Sequence, residues 1–172
     1  MSEAALRELL RLTARTTFVF FVCAFAGPAL HDLWPGTLSR WLARRRDSFL
    51  LAAAASHTVH LAAIIALFQL MGWAHLQMAT LLGGGFVYLL IYALAVTAAS
   101  RLLRGREIRL LSSPRFEGIA LYMIWLIFAL AFVPRIVSGW PVYSLFGVAA
   151  LVALALRIAC RVRHGKAMAA RA

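Results

Sequence analysis

A chain of 172 residues that is 63% hydrophobic, with a mean hydropathy of +0.84, is too apolar for a water-soluble domain, where about half the residues are apolar. The formal net charge of +12 comes from 18 Lys and Arg against 6 Asp and Glu. These basic residues fill the gaps between apolar runs instead of forming one patch, which excludes a nucleic-acid partner and points to a membrane protein whose basic loops meet anionic lipid headgroups.

The sequence predicts an all-α, polytopic membrane helix bundle, a single integral domain over 1–172 with about five transmembrane helices in a lipid bilayer. Residues 2–15 place Leu6, Leu9, Leu10 and Leu12 among Arg and Glu, which reads as an amphipathic lead-in lying on the membrane. The first apolar run, 16–33, is the weakest candidate span, because Pro28, His31 and Asp32 crowd its end. No small-residue cleavage motif follows it, so it is not read as a signal peptide. From Ser48 to Ser100 there is no Asp, Glu, Lys or Arg. That stretch is about twice the roughly 20 residues one crossing needs, and it divides into spans at 49–73 and 76–99 around a turn at Gly72 and Trp73. Ser112-Ser113-Pro114 then supplies a polar cap and a first-turn proline, with Glu117 just inside, for a span at 116–137. Pro134, Gly139 and Pro141 mark the next hairpin, and the fifth span covers 140–158.

Charge sets the orientation. Arg7, Arg11, Arg15 and Arg135 fall on one side, and the other fourteen of the 18 basic residues fall opposite. The richer side is predicted to be cytoplasmic, with the C-terminus inside a bacterial-type inner membrane and the N-terminus outside if all five runs span. Trp34, Trp41, Trp73 and Trp140 fit an aromatic belt at span ends, whereas mid-span Trp125 is expected to pack against a neighbouring helix. Gly83-Gly84-Gly85 predicts close approach of a neighbouring helix or of a flat macrocycle. There is no Rossmann, P-loop or zinc signature. Cys23 and Cys160 have no metal-type spacing and no predicted disulfide.

Ionisable groups within a membrane helix are costly and mark functional sites by default. His57 and His60, three apart, share a helix face. His57 lies about 16 Å beyond Arg46 at 1.5 Å per residue, near mid-bilayer. Two readings stand: a cofactor or proton site, or packing histidines hydrogen-bonded across a helix interface. His31 beside Asp32 and His75 are read as interfacial, and His164 as solvated in a basic tail. Glu117 is expected to pair with Arg115 or a neighbouring basic loop, and as the one candidate intramembrane acid it gives little support to a proton-coupled transporter.

Three segments carry a family resemblance: Arg44-Arg45-Arg46 leading into the span with His57 and His60; Leu89 to Ser100 followed by the basic Arg101 to Arg109; and Arg115 to Arg135. Together they resemble the ferric-reductase-like transmembrane domain, which includes ferric reductases, NADPH oxidases and the membrane haem subunit of a bacterial methionine-sulfoxide reductase system. The resemblance implies a b-type haem-binding membrane subunit (haem b) for transmembrane electron transfer. His57 and His60 would be the iron ligands, and a separate soluble or membrane redox partner would be needed, because the chain shows no flavin or nicotinamide module. It leaves open whether the chain is an enzyme. The family holds iron between histidines of two helices, but here Phe116 or Glu117 stands where the second helix would carry one, and no histidine lies between His75 and His164. A homodimer sharing one haem, a five-coordinate haem on one histidine, and a haem-free membrane partner or assembly protein of the same fold are all compatible with that departure.

Overall fold

The computed structural model describes residues 2–72, 78–105, 111, 113–137 and 141–169, without the side chains of 78–83, 104 and 169. Trp73, His75, Arg106, Arg109, Ser112, Gly139 and Trp140 therefore lie outside the described residues, as does the side-chain environment of Gly83. Six α-helices follow in order: α1 Glu3–Leu33, α2 Thr37–Arg44, α3 Arg46–Met71, α4 Met78–Arg104, α5 Pro114–Phe132 and α6 Pro141–Ala169. A 3₁₀ turn, Val133–Ile136, extends α5. No strand occurs among the described residues. Among the described residues, five helices are long and apolar enough to cross a membrane: α1, α3, the Gly84–Leu103 part of α4, α5 with its 3₁₀ extension, and α6.

The lead-in and the first span are one continuous helix. The Ser2 hydroxyl caps it by accepting from Ala5 N at 3.3 Å, and Glu3 occupies its first turn. Arg7 pairs with Glu3 at 2.7 Å and Arg11 pairs with Glu8, supporting the first turns across i,i+4 and i,i+3 spacings. Nothing between Arg15 and Thr16 breaks the helix. Leu6 and Thr13 are buried while Glu3, Arg7, Glu8, Arg11 and Leu12 are exposed, so this segment turns one face to the bundle and keeps its charged face outside.

α1 also runs through Pro28 to Leu33. Beside Pro28, Gly27 lets α2 approach closely: a Cβ at position 27 would stand 3.2 Å from Leu42 Cβ. α2 lies in the interval between the first two expected spans, 16–33 and 49–73. At the start of α5 the expected cap is present, with Ser113 Oγ accepting from Phe116 N at 3.2 Å and Pro114 following.

The spanning helices alternate in direction. His60 meets Thr13 and Ser56 meets Thr17 between α3 and α1; Asp47 meets Arg101 between α3 and α4; Arg157 meets Tyr122 between α6 and α5. α1 lies at the centre, packed most extensively on α3 and next on α6. Its Phe18 touches Phe128, Phe132 and Phe146 edge-on, with centroids 5.0–5.6 Å apart. In the same core, Ala24, Ala98 and Ala150 are fully excluded from solvent, letting backbones close together. Trp125 packs as expected from its mid-span position, with Nε1 donating to Ala150 O at 2.9 Å.

The glycine cluster does not serve the expected close approach at the positions described. A Cβ on Gly84 or Gly85 would meet nothing within 4 Å. The tight glycine is Gly147 on α6, where a Cβ would stand 2.6 Å from Ile136 Cγ1 and 3.0 Å from Phe132 O. Gly84→Leu should therefore leave the melting transition in detergent within about 0.5 kcal/mol of wild type. Gly147→Ala should cost about 1–3 kcal/mol, because the Ile136 side chain must shift and the Phe132 carbonyl crowds the new methyl as well. Equal melting temperatures for the two variants would contradict this placement.

Candidate functional site

His57 and His60 leave α3 one turn apart, with centroids 5.3 Å apart and ring planes within 7° of parallel. The small residues of this helix, including buried Ala53, Ala54 and Ala63, bring α1 and α4 close enough to flank the imidazoles. His60 Nδ1 lies 2.8 Å from Thr13 Oγ1 on α1. The same hydroxyl lies 2.8 Å from Leu9 O. A hydroxyl that gives its single proton to that carbonyl accepts from His60 Nδ1, and in that tautomer Nε2 keeps the free lone pair. Thr17 donates to Ser56 at 3.0 Å, and Ser56 donates to Thr13 O at 3.2 Å, so a polar ladder ties α3 to α1.

His57 differs from its neighbour. It is buried, its ring lies 4.1 Å from Tyr88 of α4, and its Nδ1 has no hydrogen-bond partner among the described residues. Tyr88 Oη and Arg15 Nε are buried in the same condition. Most buried polar atoms in folded proteins are paired, so such exceptions ask for an explanation in water, ion or ligand.

A cavity of about 360 Å³ opens beside both histidines, walled by Ala14, Phe128 and Phe132 and bounded by Arg11, Arg135 and Tyr143. Arg15 and Arg135 both lie over the Tyr143 ring, at 4.8 and 4.9 Å. The site thus joins imidazole nitrogen, an apolar wall and guanidinium charge.

His57 and His60, parallel rings on one helix, present their nitrogens from the same side, so the two do not fit as a joint ligand pair for one haem iron. The other described histidines sit elsewhere: His31 beside Ser39 at 3.3 Å, and His164 beside Cys160.

At the opposite end of the spans, Arg101 binds Asp47 through two nitrogens at 2.9 and 2.8 Å. Its Nη2 also reaches Glu117 at 3.0 Å, and Arg46 reaches the same Glu117 oxygen at 2.9 Å. Glu117 thus pairs with α3 and α4 rather than with Arg115. Arg157 donates to Phe25 O at 3.0 Å and lies over the Phe25 and Tyr122 rings.

A third cluster was not foreseen. Cys160 Sγ stands 3.5 Å from Asp32 Oδ2 and 3.8 Å from His164 Nδ1. Both cysteines are free thiols, and His164, exposed as its tail position predicts, stands beside Cys160. The i,i+4 spacing of Cys160 and His164 put them on one face of a helix, whereas Asp32 arrives only through the α1–α6 packing. No protein-family model matches this chain, and neither a curated protein nor a solved structure does.

Proposed function

We propose that this chain is a membrane haem-b protein that offers iron a single imidazole, His60, and works in transmembrane electron transfer with a separate redox partner. The observation that carries this reading is the Thr13–His60 bond at the cavity edge. A ligating histidine typically gives its other ring nitrogen to a hydrogen-bond partner, which fixes the ring and directs the free nitrogen at the metal. Phe128 and Phe132 would wall the macrocycle, and Arg11 and Arg135 would face its carboxylates. His57 stands beside His60 as a neighbouring hydrogen-bonding group. Bound haem supplies a one-electron carrier; the chain's own residues orient it and exclude water. The fourteen-to-four charge asymmetry supports placing Arg46, Arg101 and Arg157 at the cytoplasmic side of an inner membrane, among anionic headgroups. Reporter fusions after Arg109 and after Lys166 should then report cytoplasm.

A second reading is a haem-free membrane partner or assembly protein of the same fold. It is favoured by the parallel imidazoles and by the cavity size, which is near the low end of the roughly 300–1,000 Å³ of small-molecule sites. Here His60 simply pins α3 to α1.

An absorption spectrum of detergent-purified protein, expressed with added haem precursor, separates the two. Haem gives a Soret band with reduced α and β bands, lost in His60→Ala and retained in His31→Ala. Colourless wild-type protein that is folded and monodisperse would sink the haem reading. His60→Ala should then cost only about 1–2 kcal/mol, the scale of a polar contact between membrane helices.

A further inference from the structure

We propose that Asp32, Cys160 and His164 form a binding site for a zinc-class divalent cation, separate from the His57–His60 cavity. The three side chains come from the end of α1 and the late turns of α6, and one donor atom from each lies within 4.8 Å of the other two. Zinc bonds of about 2.3 Å to sulfur and 2.0–2.2 Å to nitrogen or oxygen, at tetrahedral angles, put donor atoms about 3.5 Å apart. The thiol here stands 3.5 Å from the carboxylate and 3.8 Å from the imidazole nitrogen, so little movement is needed to close around a metal.

The donor set selects the class of ion. Sulfur and imidazole nitrogen favour zinc-like metals over magnesium or calcium, which take oxygen. Cys160 is buried while Asp32 and His164 are exposed, leaving a solvent-side fourth position for water or a partner's ligand. On binding, the Cys160 thiol gives its proton to solvent and the thiolate bonds the cation, so uptake releases one proton without redox change.

Nearby arginines oppose a cation, and the local structure moderates this. The Arg163 guanidinium donates to Asp32 O at 3.1 Å and Leu33 O at 3.3 Å, the carbonyls at the negative end of the α1 dipole.

Metal-stripped protein carrying a histidine-free tag should bind one equivalent of Co²⁺, with a thiolate-to-cobalt charge-transfer band and intense tetrahedral d–d bands. Cys160→Ser should remove the charge-transfer band, and Cys23→Ser should keep it. Asp32→Asn and His164→Ala should weaken Zn²⁺ binding by about tenfold or more. Wild type binding no more Co²⁺ than Cys160→Ser, or a band that survives that substitution, overturns the site. Should Cys160→Ser fail to fold, alkylation of wild type decides: Zn²⁺ must slow modification of Cys160 but not Cys23, and an unchanged Cys160 rate overturns the proposal.

Discussion

Glu117→Gln should lower the stability of the detergent-solubilised protein by about 3 kcal/mol, the low end of what breaking a buried ion pair costs. One oxygen of Glu117 holds both Arg46 and Arg101, and its side chain is only 14% exposed. Neutralising it leaves two neighbouring guanidiniums with Asp47, which is held by Arg101, as the nearby carboxylate. The arginines are 20–23% exposed, so water moderates the repulsion without removing it. Thermal unfolding monitored by size exclusion measures the loss. Arg46→Gln added to Glu117→Gln should recover part of it, because one of the two stranded charges goes. A loss under about 1 kcal/mol, the range of exposed pairs, would show that solvent screens this network.

Phe18→Ala should be at least as damaging, about 3–5 kcal/mol. Phe18 is 1% exposed and is the ring shared by α1, α5 and α6. Between membrane helices there is little hydrophobic drive to replace, since lipid is as apolar as the core. The cost arises from lost dispersion contacts around an unfilled void. Phe18→Leu should therefore restore much of the stability, while Leu12→Ala on the same helix, at a side chain 59% exposed, should change little. Equal losses at positions 12 and 18 would mean that α1 is not oriented as described.

Features written in local sequence were legible. Apolar run length located the spanning helices to within a few residues at most ends, although α6 continues well past 158 to Ala169. Ser113-Pro114 announced α5, and Trp125 in mid-span announced a buried partner. Joining 2–15 to 16–33 was harder to foresee, because an amphipathic segment rich in Arg looks alike whether it lies on a membrane or continues a helix. The short α2 was hidden among the arginines that mark topology. At the candidate site, spacing put His57 and His60 on one face, but the Thr13 contact depends on how α1 crosses α3. Distant partners were the least legible: Asp32 and Cys160 are 128 positions apart, as are no two residues a periodicity can link. Gly84 and Gly85 misled because a glycine's use depends on what stands opposite, and among the described residues nothing lies within 4 Å of a Cβ built at either.

The central position of α1 bears on how the chain is made. During synthesis α1 leaves the ribosome before its main partners exist. α3 follows soon enough to take up the Thr13 and Thr17 ladder, but Phe25 and Asp32 wait for Arg157 and Cys160 on α6. Until α6 inserts, the α1 face that will meet it borders lipid, and the unfinished bundle is open to the proteases and chaperones that survey incomplete membrane proteins. Chains halted before Pro141 should accordingly be short-lived in cells, and α6 supplied as a separate fragment should extend their lifetime.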